Sequence, residues 1–244
     1  MKLKILNRDN FIQRFLLPIT KISNICILVL GNNKIHTFVN GDTTKNMIYC
    51  STDDVNCDFD DHKLGIKDVR ILVSKLKQIP ENTFELEITK NSICYTSNKL
   101  SFIHILTEER KIKAPNFKED KLLNCQYDNK FVLKSDVLKS LIQCSLTLTE
   151  SNKIYLKTID GEMVAELNDR SKRNIDTYNI TISDNYNGSD ISDWISFSFE
   201  PFRVISSYDK RDVLVSLNTK NEIIEFDVSR DNYIVKYVST ALVN

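Results

Sequence analysis

One unit occurs twice along the 244 residues, and this limits the chain to folds built from two copies of one element order. Thr89-Lys90-Asn91 separates an alternating apolar run (Phe84, Leu86, Ile88) from a second run (Ile93, Tyr95). Thr219-Lys220-Asn221 sits the same way between Val213, Val215, Leu217 and Ile224, Phe226, Val228. Upstream, Asn33-Lys34-Ile35 leads into a strand-like run ending at Asn40-Gly41. Asn152-Lys153-Ile154 leads into one ending at Asp160-Gly161. The landmarks keep their order, with an offset of 119 at the first (152 less 33) and 130 at the last (219 less 89). An extra polar loop, 184–193, accounts for the change in offset.

Each copy reads as helix, strands, helix, strands, which is an α+β unit with antiparallel sheets. Phe11, Ile12, Phe15, Leu16 and Ile19 predict a first helix, capped by Asp9 or Asn10 and ended or kinked by Pro18. Ile66, Val69, Leu72, Val73 and Leu76 keep i, i+3, i+4 spacing and predict a second helix over 67–78, closed by Pro80. In the second copy, Val137, Leu138, Leu141 and Ile142 follow a cap at Ser135 or Asp136. A short helix starts near Pro201. The stretch 107–129 is rich in Lys and Glu, holds Ala114-Pro115 and has no period, so it reads as a surface connector. The expected division is 1–110 for the first domain, 111–129 for the connector and 130–244 for the second domain.

Several function classes leave no mark. Five glycines build neither a Gly-x-Gly-x-x-Gly loop nor a Walker A loop, so no phosphate cradle and no cofactor is expected. No Gly-x-Ser-x-Gly elbow is present. The six cysteines form no Cys-x-x-Cys pair and only three histidines occur, so neither a zinc site nor a disulfide framework is expected. No apolar run approaches the roughly 18 residues of a membrane helix, and the N-terminal residues lack the apolar core of a signal peptide. A reducing, cytoplasmic location is expected. The densest carboxylate cluster, Asp53, Asp54, Asp58, Asp60 and Asp61 beside His62, reads as a solvated acidic loop. Its rival reading is a divalent-metal site in a hydrolase.

The helices carry the remaining signal. Lys67, Arg70, Ser74 and Lys77 fall at i, i+3, i+7 and i+10, a single stripe opposite the apolar face. Arg14, Lys139, Arg203 and Lys210 hold comparable positions on the other helices. The 33 basic and 33 acidic residues cancel, but charges sorted onto opposite faces still attract phosphates locally.

The duplicated unit, its two helices, the meander after the second helix and the mid-chain connector resemble the sliding clamps. These are the proliferating cell nuclear antigen family and, by length, the polymerase clamps of tailed phages. The resemblance spans nearly the whole chain. It implies a duplicated clamp-type α+β fold and a non-enzymatic role as a DNA polymerase processivity factor. A homotrimer would encircle double-stranded DNA without reading sequence, with a polymerase and a clamp loader as partners. Carried onto this sequence, the DNA-facing cations are Arg14, Lys67, Arg70, Lys77, Lys139, Arg203 and Lys210. The subunit contact would join strand 100–106, with Leu100, Phe102 and Ile103, to strand 177–183, with Tyr178, Ile180 and Ile182. A pocket for partner peptides would use Ile112, Pro115 and Phe117 with Ala241, Leu242 and Val243, unless these residues only pin the connector and tail. The alternative is a scaffold or virion assembly protein built on a duplicated α+β domain.

Overall fold

The computed structural model describes residues 1–41, 45–59, 61–113, 119–148, 152–168, 170, 176–208 and 211–242. Two compact units divide the chain. One comprises Met1–Glu119 with Ser229–Lys236, the other Asp120–Val228 with Tyr237–Asn244.

The first unit opens with strand β1 (Lys2–Ile5) and one continuous helical run, made of α1 (Arg8–Asn10), a π-helical stretch (Phe11–Leu16) and α2 (Leu17–Thr20). Strands β2 (Cys26–Gly31), β3 (Lys34–Asn40), β4 (Asn46–Thr52), β5 (Val55–Cys57) and β6 (His62–Ile66) follow. After them come helix α3 (Val69–Leu76) and the meander β7 (Phe84–Ile88), β8 (Ser92–Thr96) and β9 (Ser101–Ile105). They form one sheet in the order β5-β1-β7-β8-β9 and another in the order β4-β3-β2-β6. A single helical turn (Glu109–Lys111) and α4 (Glu119–Leu123) lie in the stretch read as a surface connector.

The second unit repeats the scheme element for element. It runs β10 (Asn129–Leu133), α5 (Ser135–Thr147), β11 (Lys153–Ile159), β12 (Glu162–Leu167), β13 (Tyr178–Ser183), β14 (Tyr186–Gly188), β15 (Ile195–Ser198), α6 (Glu200–Tyr208), β16 (Val213–Asn218) and β17 (Ile223–Asp227). The order β14-β10-β16-β17 matches the first unit's larger sheet, and β13-β12-β11-β15 matches its smaller one. The last strand, β18 (Tyr233–Thr240), gives its first residues to the first unit and its last to the second.

The duplication is real, but half of its sequence landmarks were paired one strand out of step. Asn32 and Asn33, both at positive φ (53° and 54°), make the two-residue turn between β2 and β3. Their counterpart is Asp160-Gly161 (φ 51° and 81°) between β11 and β12. The offset there is 128 (160 less 32), close to the 130 at Thr89 and Thr219. Loop 184–193 is therefore no insertion. It carries β14, the counterpart of β5, whose short polar pattern hid it.

Local chemistry explains the helices and corrects their caps. The first helix is capped by Asn7, in an extended conformation, whose side chain accepts from Asn10 N at 3.0 Å; neither Asp9 nor Asn10 caps it. Pro18 does not end it. Leu17 N donates to Ile12 O in π register, and the missing proline N–H falls where the ladder shifts to α register. Helix α3 starts at Asp68, whose Oδ1 accepts from Arg70 N at 2.9 Å, so Lys67 precedes the helix. Its face of Val69, Leu72, Val73 and Leu76 is buried. Helix α5 lacks a side-chain cap bond from the residue before it. Asp212 Oδ1 accepts from Ser135 N instead, at 2.9 Å. In the second core Phe202 stacks on Phe199 (5.4 Å) and meets Phe226 edge-on (4.9 Å). Each such buried ring contributes roughly 1.5–3 kcal/mol.

Gly65 is required by close approach. It sits in β6, and Thr107 N donates to its carbonyl at 2.9 Å. A Cβ at this position would lie 2.3 Å from Thr107 O and 3.1 Å from Ile112 Cδ1. Gly65→Ala must push backbone aside and should cost about 1–3 kcal/mol in denaturant unfolding. Val29→Ala in the neighbouring strand, which meets no such wall, should leave the 107–112 segment in place as read by hydrogen exchange.

Candidate nucleic-acid and subunit interface

Several strands end their sheets among the described residues, and of these β9 and β13 are the ones that expose large apolar side chains. In the first unit β9 ends the larger sheet; in the second β13 ends the smaller one. Backbone bonds fix how β9 presents itself. Ser97 N donates to Leu100 O, and Leu106 N donates to Asn91 O. In an antiparallel ladder this sets Phe102 and His104 toward β8, so Ser101, Ile103 and Ile105 turn their N–H and C=O outward. Ile103 and Ile105 also expose large apolar side chains (60% and 67% accessible). Phe102 is half-buried, stacked on Tyr95 at 5.7 Å. On β13, Tyr178, Asn179 and Thr181 are exposed, Ile180 is half-buried, and Ile182 is taken by the core. Thr147 Oγ1 at the end of α5 donates to Tyr178 Oη at 3.1 Å.

The cationic candidates divide by how free they are. Lys67, Arg70, Ser74 and Lys77 are all exposed on one side of α3. Arg70 Nε lies 3.6 Å from Asp68 Oδ1, which already serves as the helix cap. On β7 of the same unit, exposed Glu85 and Glu87 alternate with buried Phe84, Leu86 and Ile88. Exposed Lys2 and Lys4 of β1 stand opposite these carboxylates, with Lys2 Nζ 2.6 Å from Glu85 Oε1, so this sheet face is of mixed charge while the α3 stripe is cationic. Arg14 is engaged, 2.5 Å from Asp231 Oδ2. Arg203 lies over the Phe199 ring (5.1 Å), donates to Asn152 Oδ1 (2.7 Å) and approaches Glu200. Lys139 is exposed on α5, one face with Gln143 and the apolar Leu146 (73% accessible). Lys210 lies outside the described residues.

No protein-family model matches the sequence, and no curated protein does. Solved structures do. PCNA of A. fulgidus, solved with the C-terminal region of FEN-1 bound, superposes with a TM-score of 0.77 at 12% identity, covering 100% of this chain and 99% of that one. Proliferating Cellular Nuclear Antigen from Entamoeba histolytica gives 0.75 at 13%, covering 99% and 98%. A putative DNA polymerase III beta subunit from Eubacterium rectale gives 0.70 at 18%, covering 100% of this chain and 65% of that longer one.

The chain has the sliding-clamp fold. At such low identity the likeness is one of architecture, and no residue of the sites is carried across by it. Within the fold, Ile112 is half-buried with its Cδ1 against Gly65, so it packs on β6. Leu242 is tied to β15: its N–H donates to Ser196 O (2.8 Å), and Ser196 Oγ donates to its carbonyl (3.0 Å). Pro115, Phe117 and Val243 lie outside the described residues. No three metal-ligating side chains gather among the described residues, and no helix there is long and apolar enough to cross a membrane.

Sequence reasoning missed Lys75 and His104. Lys75 Nζ donates to Ile103 O at 2.6 Å and lies 5.8 Å from the Phe102 ring centre. His104 is buried on β9, with no hydrogen-bond partner for Nε2. Burial, and then the Lys75 charge, hold its imidazole below the ordinary value. No one-dimensional signal pairs a lysine on a helix with a strand 28 residues later.

A lowered folded-state pKa means that protonation favours the unfolded chain. The contribution of His104 to stability is therefore full above its unfolded pKa of about 6.5 and is lost as pH falls through the folded value. His104→Gln should flatten the fall in stability on acidification, measured as unfolding midpoints at pH 7.5 and 5.5. An unchanged slope would place the titration elsewhere.

Proposed function

We propose that the chain is a sliding clamp. Three copies close into a ring around double-stranded DNA, a DNA polymerase is tethered to it for processive replication, and a clamp loader opens it. The observation that carries this reading is the pair of unlike open edges, β9 in one unit and β13 in the other, each with exposed apolar side chains. An edge with unpaired backbone groups is an association hazard unless a specific partner covers it. Two different edges favour head-to-tail contacts, which make a ring when the rotation closes. Two units per chain then give a six-unit ring from three subunits.

In the ring the exposed cations along α3 and its flanks, Lys67, Arg70 and Lys77, attract phosphates, and their exposure suits contact without base reading. Lys139 adds to this surface, while Arg14 and Arg203 must first leave their present partners. The partner peptide of the polymerase is assigned to the connector and tail, at Ile112, Pro115, Phe117 and Leu242. By length the chain fits with the clamps of tailed phages. It would act in the cytoplasm, a host's if the source is viral.

Assembly is tested by solution mass. The wild type should run at three times 28.3 kDa. Ile103→Pro removes an outward N–H from β9 and should give a folded monomer. A wild-type monomer at micromolar concentration would refute the ring; a trimeric Ile103→Pro would mean that β9 is the wrong edge.

The DNA contact is tested by charge reversal. Lys67, Arg70 and Lys77 changed together to Glu should lower retention on closed circular DNA by tenfold or more at about 0.1 M salt, because each subunit then repels the phosphates. Single changes should do little, since each cation is exposed. Reversal of Lys90, Lys153 and Lys220, in turns or at a strand start, is the control. Equal damage from the control would refute the assignment.

A further inference from the structure

We propose that Lys75 guards the β9 edge, holding the strand closed to pairing until the neighbouring subunit displaces it. The inference rests on the reading that β9 is a subunit contact.

Three observations carry it. The carbonyl of Ile103 is one of the groups that β9 turns to its open side, because the bonds at Ser97–Leu100 and Asn91–Leu106 commit the alternate residues to β8. Lys75 Nζ donates to that carbonyl at 2.6 Å, from α3, an element outside the sheet. The half-buried lysine stem and its ammonium over the Phe102 ring (5.8 Å) fix the head in place, so the contact is held from two directions.

An incoming strand needs the Ile103 carbonyl as an acceptor at the middle of β9. A carbonyl has two lone pairs, but the ammonium stands where the partner backbone must approach. Pairing therefore requires Lys75 to swing away and its charge to be rehydrated or taken up by another acceptor. The same charge suits edge protection in general: lysines on edge strands blunt unwanted strand addition. Here the lysine comes from a helix and reaches the backbone itself. Its cost falls on association of every strand that approaches β9. Only a partner with enough further contact, such as the apolar Ile103 and Ile105 surface offers, overcomes it. In a ring that must open and reclose, such a guard weakens one contact by a set amount while leaving the subunit folded.

The test compares wild type with Lys75→Met, which keeps an apolar stem over Phe102 and removes the ammonium, and with Lys75→Gln as a second uncharged variant. Sedimentation velocity across a dilution series reads the concentration at which each assembly falls apart. Loss of one charge-assisted hydrogen bond to an exposed carbonyl should make both variants dissociate at roughly tenfold lower concentration than wild type. Their thermal midpoints should match wild type within a few degrees. Wild-type assembly with unchanged or weakened assembly of both variants would overturn the guard and leave the ring standing. Monomers throughout, for wild type and variants alike, would overturn the subunit contact and the guard with it.

Discussion

Backbone hydrogen bonding is the constraint from which the rest of the structure follows. Each unit spends its strands on antiparallel ladders, and a ladder that does not close must stop at strands whose outer groups are unpaired. The order β5-β1-β7-β8-β9 stops at β9, and the order β13-β12-β11-β15 stops at β13. The edge strands β9 and β13 carry the exposed apolar residues Ile103, Ile105 and Tyr178, while β7 inside the first sheet alternates between buried and exposed. Surface of this kind on edge strands is costly in water, and it becomes an asset once a second strand covers it.

The helices answer a second constraint. Each covers apolar side chains and must show water its opposite side. In α3 the outward side is cationic, because Asp68, its nearby acid, is consumed as the cap. In α5 the outward side is poorer, with Lys139 beside Leu146, and in α6 Arg203 is drawn into contacts with Asn152 and Phe199. Equivalent helices thus present unequal charge. Among the described candidates the first unit supplies Lys67, Arg70 and Lys77 beside α3, and the second unit Lys139 on α5.

Charge and packing meet at Lys75. A lysine on the flank of α3, off the cationic stripe, satisfies one of the outward carbonyls of β9, and burial first and then its charge lower the basicity of His104 on the same strand. Electrostatics at this edge is therefore local and short-ranged, set by one ammonium near one buried imidazole rather than by net charge.

Alternation and helical spacing determined the element types by themselves. The runs around Thr89-Lys90-Asn91 and Thr219-Lys220-Asn221 became the hairpins β7–β8 and β16–β17, and the α3 face was legible from Val69 to Leu76, because burial of one face leaves a period in the sequence. Short or weakly patterned strands were not legible. β1, β6 and β14 take their places through partners: β1 pairs with β7, some eighty residues later, as at Leu3 and Leu86. The true alignment of the two copies also needed the structure, since Asn32-Asn33 and Asp160-Gly161 share a positive-φ turn geometry but hardly a motif. The cationic stripe was visible as spacing. Which cations remain free was decided by tertiary neighbours, Asp231 for Arg14 and Asn152 for Arg203. Which strands end their sheets, and which lysine reaches the outer one, depends on pairing across the whole chain, and local sequence carries no record of a long-range hydrogen bond.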